Sequence, residues 1–208
     1  MRLLLPVLAA VAALSFPLAN AKVASFPADN FSIDAPANWD PLPLPPAQQG
    51  IRVITSARSK TNGDQYLVIG AELPSHSSPS AFLAGMQKPL IAKGWKASEI
   101  RDETIDGKPF AVFTMSRETG PPFMLMATTF ADERAFVVQV VAPEGDVEKT
   151  PELNAIVQSF RFLQPVHSVN RHDAVGDNLS YQIGRIVGFL IGGAAVLILI
   201  RKATRSRR

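Results

Sequence analysis

The segment Phe136-Val137-Val138-Gln139-Val140-Val141 places the strongest constraint on the fold of this sequence. Successive side chains of a β-strand point to opposite faces of the sheet, so a strand that is apolar at nearly every position is buried on both faces. Such a strand needs a layer of cover on each side. The segments around it therefore have to provide both a sheet and two covering layers.

Further strands and tight turns surround this stretch. Thr61-Asn62-Gly63-Asp64 and Asp106-Gly107 are typical of hairpin turns, because Asn, Asp and Gly tolerate positive φ. Asp132-Glu133 joins another pair of strands. Strands joined by short turns are antiparallel neighbours. The sequence predicts six such strands, over residues 51–58, 66–73, 99–105, 108–116, 123–130 and 134–142.

Two helices are predicted to cover the sheet. Ser78 caps the first, Pro79 begins it and Gly94 stops it, and Pro89 is expected to kink or shorten it. The second opens at Thr150-Pro151-Glu152 and places four apolar residues on one face at helical spacing, namely Leu153, Ile156, Val157 and Phe160. The prediction is an α+β fold, a three-layer α/β/α sandwich with a mainly antiparallel sheet, over residues 22–163.

Two short motifs resemble a known family. Residues 31–39, Phe-Ser-Ile-Asp-Ala-Pro-Ala-Asn-Trp, look like the opening strand and Pro-x-x-Trp turn of the PsbP/Mog1-like domain family. Residues 153–162 are similar to the closing helix and strand of that family. The resemblance implies the sandwich fold and an accessory or binding role, since family members include photosystem II extrinsic subunits, a Ran-binding protein and secreted bacterial proteins. It implies no catalytic residues.

The N-terminus has the three parts of a secretory signal peptide. Met1-Arg2 is a short basic region, residues 3–14 are apolar, and Pro17 precedes the small-x-small segment Ala19-Asn20-Ala21. We expect residues 1–21 to be removed before Lys22. The alternative is an uncleaved N-terminal anchor helix.

The C-terminal region has a second apolar run. Residues 183–200 number 18, a length of roughly 27 Å as a helix, close to the thickness of a bilayer core. The basic tail, residues 201–208, follows directly and predicts a cytoplasmic C-terminus by the positive-inside rule. The sequence therefore predicts a single-pass helix in the cytoplasmic membrane of a bacterium, with the domain outside and residues 164–182 as a flexible tether.

Charge and cysteine content narrow the class of protein. Residues 22–182 carry 14 Lys and Arg against 18 Asp and Glu, a net charge of −4, whereas the tail after Ile200 carries +5. A basic nucleic-acid-binding surface on the domain is therefore not predicted. The absence of cysteine excludes disulfides, thiol catalysis and Cys-ligated zinc. We expect no cofactor and no metal.

Catalytic motifs are not found. His167 and His172 lie in the predicted tether, and His76 lies in a polar loop beside serines, where solvated side chains are the ordinary outcome. The acidic pairs Asp102-Glu103 and Asp132-Glu133 lie at strand ends or turns. Their neighbouring side chains point to opposite faces, which prevents a shared proton. The sequence favours a non-enzymatic binding or assembly module.

Two hypotheses about partners complete this interpretation. The alternative function is a small apolar-ligand carrier, or an enzyme with a pocket in the sandwich that Met124 and Met126 would line. Gly184, Gly188 and Gly192 recur every four residues and form a stripe that lets a second helix approach closely. They predict a helix–helix interface, either in a homodimer or with another membrane protein.

Overall fold

The computed structural model describes residues 21–75, 77–169 and 178–205, with the side chains of the last helix given as far as Gly192. Within them the strands are β1 (Ala21–Phe26), β2 (Phe31–Pro36), β3 (Asp40–Pro41), β4 (Ile51–Arg58), β5 (Gln65–Glu72), β6 (Lys96–Ala97), β7 (Arg101–Ile105), β8 (Lys108–Ser116), β9 (Pro122–Ala131), β10 (Arg134–Val141), β11 (Arg161–Phe162) and β12 (Ser168–Val169). The α-helices are α1 (Pro79–Ile91), α2 (Pro151–Gln158) and α3 (Asn178–Arg205).

Nine strands form the main sheet. Its path runs β3-β4-β5-β10-β9-β8-β6, with β7 on β8 and β12 on β9. Every described pairing is antiparallel, and the hairpins turn where the sequence predicts them. Asp106 and Gly107 have φ of 49° and 70°, and Gly63 has φ of 78°, which are the left-handed conformations that those turns require. β10 lies at the centre and is buried on both faces, as predicted.

One face of the main sheet packs against helices. Phe82, Met86 and Leu90 of α1 are fully buried against this face, together with Val187 and Ile191 of α3. The apolar residues of the sheet on this side come from alternate positions of β5, β8, β9 and β10, as the period of a strand requires.

The other face packs against a small sheet and one short helix. β1, β2 and β11 form a three-stranded sheet, and α2 lies beside it. Phe160, which follows α2, stacks on Phe31 of β2 with the ring centroids 5.0 Å apart. It meets Phe110 of β8 edge-on at 5.6 Å. These aromatic contacts bury the apolar face of α2 that the sequence predicts.

The predicted three-layer α/β/α sandwich with a transmembrane helix is wrong. The described part of the structure is mostly sheet, with few helices. One covering layer consists of the small sheet together with α2, because Phe31 and Ile33 of β2 are buried in the same core as the apolar face of α2. Among the described residues, no helix is long and apolar enough to cross a membrane.

The predicted tether contains regular structure, and most of the predicted signal peptide lies outside the described residues. The segment predicted as a tether, residues 164–182, contains β12, which pairs with β9, and the first residues of α3. The predicted signal peptide lies outside the described residues apart from Ala21, the first residue of β1. The basic tail is described only as helical backbone as far as Arg205.

Candidate functional site

The helix pair of α1 and α3 is the candidate site, because the predicted interface residues lie there. Ser78 caps α1, since its hydroxyl accepts a hydrogen bond of 3.2 Å from the backbone N–H of Ala81. Pro79 occupies the first turn, where its missing N–H costs nothing. Pro89 lies inside α1, which ends two residues later at Ile91.

The glycine stripe of α3 lies directly against α1 of the same chain. A Cβ added at Gly184 would lie 2.0 Å from the carbonyl oxygen of Phe82, and one at Gly188 would lie 2.3 Å from that of Met86. The approach is mutual, because a Cβ on Gly85 of α1 would lie 2.1 Å from the carbonyl oxygen of Tyr181. The two backbones are therefore in contact, as in small-residue helix pairs.

The third glycine of the stripe has a looser environment. A Cβ at Gly192 would meet the Nζ atom of Lys93 at 2.6 Å and a methyl carbon of Leu90 at 3.2 Å. Both atoms are at the ends of side chains. The predicted helix–helix interface at Gly184, Gly188 and Gly192 thus faces α1 in this structure, and association with a second chain stays a prediction.

A buried polar contact fixes the start of the helix pair. The hydroxyl of Ser180 accepts a hydrogen bond of 3.1 Å from the backbone N–H of Ser78, the capping residue of α1. Both serines are fully buried. The contact sets the register of α3 on α1, because it holds the first turns of the two helices together just before the glycine contacts begin.

The outer face of this pair is apolar and basic. Three large apolar side chains are about half exposed there, with fractions of 52% for Ile91, 54% for Leu179 and 52% for Phe189. Lys88 lies over the ring of Tyr181, 5.6 Å from its centroid, so side chains of the two helices meet on this face. Neither helix contains an aspartate or a glutamate. We call this the helix-pair face, defined by Lys88, Ile91, Lys93, Leu179, Tyr181, Arg185 and Phe189.

The fold is similar to that of a solved structure. The solution structure of cyanobacterial PsbP (CyanoP) from Synechocystis sp. is similar with a TM-score of 0.52 and 14% sequence identity, covering 74% of this chain and 98% of that chain. The fold is PsbP-like. A crystal structure of a protein from Bacteroides thetaiotaomicron has a TM-score of only 0.36 at 11% identity, covering 69% of this chain and 49% of that chain.

The comparisons go no further than the fold. No protein-family model and no curated protein matches the sequence. The resemblance of residues 31–39 and 153–162 to PsbP-like domains is confirmed at the level of the fold. Those residues are β2 with its following turn and the segment from α2 to β11, which pair with each other across the small sheet.

The polar residues considered as catalytic make backbone and turn contacts where the PsbP-like structure describes them. His76 and His172 lie outside the described residues, and His167 uses its backbone N–H to bind Asp132 Oδ1 at 2.9 Å. Glu133 accepts a hydrogen bond of 2.5 Å from Ser75. Asp132 and Glu133 are turn residues with positive φ, as hairpin geometry requires.

The other acidic pair and the methionines have structural contacts. Glu103 binds Arg101 Nε at 2.7 Å on the surface of β7, and Arg101 reaches Glu148 as well. Met124 and Met126 are fully buried beneath α1. Glu103 is thus part of a surface ion pair, and the two methionines belong to the core beneath α1.

A cluster of two arginines on one aspartate was missed by the sequence analysis. Asp29 has a side chain only 5% exposed, and its Oδ1 atom accepts hydrogen bonds from Nη2 of both Arg52 and Arg134. The guanidinium of Arg134 also stacks over the ring of Phe136 at 4.9 Å. A glycine in the middle of a strand was the available signal, because Gly70 leaves room for Arg134 at a Cβ distance of 3.2 Å.

A row of buried polar oxygens crosses the main sheet beneath α1. Gln139 of β10 is diagonal to Gln65 of β5 and to Thr128 of β9, and all three face the α1 side. Within the described part of the chain, the Oε1 atoms of both glutamines and the Oγ1 atom of Thr128 have no hydrogen-bond partner. An unpaired buried acceptor destabilises the folded protein, so this row is the second candidate for a functional site.

Proposed function

We propose that the protein is an exported binding module, without catalysis of its own, that engages its partner through the helix-pair face. The observation that carries the proposal is the half exposure of Ile91, Leu179 and Phe189 on helices that contain no acidic residue. Exposed apolar side chains that cluster with charges of one sign are typical of interaction surfaces. The PsbP-like fold is compatible with this role but does not select it.

Export is part of the proposal and rests on sequence alone. Residues 1–21 have the basic, apolar and small-residue parts of a signal peptide. We place the domain in the bacterial envelope. A phosphatase reporter that folds only after export, fused after Leu163, should be active with residues 2–21 present and inactive without them. Equal activity of the two fusions contradicts export.

Binding through the helix-pair face can be tested with isolated bacterial envelopes. The full-length protein should bind them saturably, and the pair Ile91→Glu and Phe189→Glu should lower affinity at least tenfold. The matched control is Val23→Glu with Leu44→Glu, because these residues are equally exposed at 55% and 47% but lie far from α1 in the chain. Circular dichroism checks that both variants are folded. If the two pairs of substitutions weaken binding equally, the proposal is overturned.

The second candidate function is a carrier for a small molecule beneath α1. The observation that favours it is the row of acceptor oxygens on Gln65, Gln139 and Thr128 among buried methionines. Its ligand would need hydrogen-bond donors on an otherwise apolar body. Native mass spectrometry of the purified protein should then reveal a bound molecule that Gln139→Leu removes. Identical ligand-free masses for the two proteins refute this candidate.

A further inference from the structure

We propose that the helix-pair face docks on an anionic lipid surface, with α1 and α3 lying along it. This inference rests on the proposed function, because it names the partner of the same face. It is a peripheral contact, in which the helices stay packed on the main sheet and only their outer side chains enter the headgroup region. Three observations support it, namely the sign of the charge, the exposed apolar residues and the orientation of the domain.

The charge on this face is entirely positive. Lys88, Lys93 and Arg185 supply it, and neither α1 nor α3 contains an acidic residue. Within the described residues, none of these three forms a salt bridge with a carboxylate; Arg185 donates instead to Gln182 Oε1 at 3.1 Å. Some other surface cations of the domain are paired with carboxylates, as Lys60 is with Asp40 at 3.0 Å. The charges on the helix-pair face therefore remain available to an external anion.

The apolar residues favour a lipid surface over a purely ionic partner. Phe189 and Leu179 of α3 and Ile91 of α1 each expose about half of their side chain. An interfacial helix buries such residues among the acyl chains while its basic residues meet the headgroups. Tyr181, under the ammonium of Lys88, has the amphipathic character of an aromatic residue at a membrane interface.

The charge of the rest of the domain would orient the protein. Residues 22–182 have 14 basic and 18 acidic residues, a net charge of −4, and this count includes Lys88 and Lys93. An anionic surface therefore attracts the helix-pair face and repels the remainder of the domain. Such an asymmetry steers encounter and fixes which side faces the membrane.

The test is flotation of the full-length protein with lipid vesicles. Vesicles of phosphatidylcholine with about a third phosphatidylglycerol should bind the protein, and pure phosphatidylcholine should bind it weakly. Each basic residue near an anionic surface contributes about fivefold to the affinity. Lys88→Glu with Lys93→Glu should therefore lower affinity by at least about 25-fold. The control, Lys22→Glu with Lys149→Glu, makes the same change of net charge on exposed residues elsewhere and should have little effect.

A second measurement reports the apolar contact. Phe189→Trp should shift its fluorescence emission to shorter wavelength when anionic vesicles are added, whereas Leu44→Trp should not. The inference is overturned if binding does not depend on phosphatidylglycerol, if both charge-reversal pairs behave alike, or if the protein binds single-stranded nucleic acid through Lys88 and Lys93 but not vesicles. If envelopes are bound through this face but vesicles are not, the lipid inference fails and the proposed binding module stands.

Discussion

Replacing Gly184 with alanine tests the packing of α3 on α1. The added Cβ would lie 2.0 Å from the oxygen and 2.8 Å from the carbon of the Phe82 carbonyl, and 3.1 Å from the backbone nitrogen of Met86. Non-bonded carbon contacts are favourable at about 3.5 to 4.0 Å, so the helices would have to separate by more than 1 Å. The obstacle is backbone, which no rotamer change can move.

The magnitude follows from two opposing terms. Overpacking of this kind costs about 3 kcal/mol at the upper end of its usual range. Alanine recovers about 1 kcal/mol relative to glycine within a helix. The expected net loss in the free energy of unfolding is therefore about 2 kcal/mol, which lowers the midpoint of thermal unfolding by about 4–8 °C in a protein of this size.

The same stripe provides the control. At Gly192 the new Cβ would meet the end of the Lys93 side chain, which can rotate away, so Gly192→Ala should be neutral or stabilise by as much as about 1 kcal/mol. Urea unfolding followed by circular dichroism measures both, and hydrogen exchange in α3 detects local detachment. The loss in Gly184→Ala should not depend on protein concentration, because the partner is α1 of the same chain. Equal stability of Gly184→Ala and the native protein would refute the reasoning.

Three further predictions concern buried polar groups. Asp29→Asn should destabilise by about 1–3 kcal/mol in urea unfolding, because two guanidinium groups lose the negative charge of their shared acceptor, whereas Asp40→Asn at the exposed pair with Lys60 should cost less than about 1 kcal/mol. Burial is the main cause that raises the pKa of Asp64 above 3.8, so folding favours the protonated carboxyl. Its contribution to the free energy of unfolding is fully present below pH 3.8 and is lost as the pH rises through the raised pKa. The stability of Asp64→Asn should therefore gain less than that of the native protein when the pH falls from neutral to 3.8, and an unchanged profile contradicts this assignment. Gln139→Leu should be neutral or stabilising in urea, since it removes an acceptor that lacks a partner, and a loss above about 2 kcal/mol would show that the oxygen is satisfied.

Much of the sheet could be predicted from local chemistry. The hairpins at Gly63 and Gly107 follow from residues that tolerate positive φ, and β10 follows from its unbroken apolar run. The beginning of α1 follows from Ser78 and Pro79, and both act as predicted. These features depend on residues within a few positions of one another, so a single sequence contains the information that fixes them.

The amino-acid sequence was therefore sufficient to predict six strands of the main sheet, their turns, the cap of α1 and the spacing of the glycines in α3. The tertiary structure was needed to show that the glycine stripe contacts α1. The spacing of the glycines indicates that another helix can approach closely, but it does not indicate which helix. Asp29 likewise binds residues 23 and 105 positions away, and only the packed sheet brings those arginines to one oxygen. Local patterns set the elements, whereas the choice among compatible surfaces depends on burial summed over the whole fold.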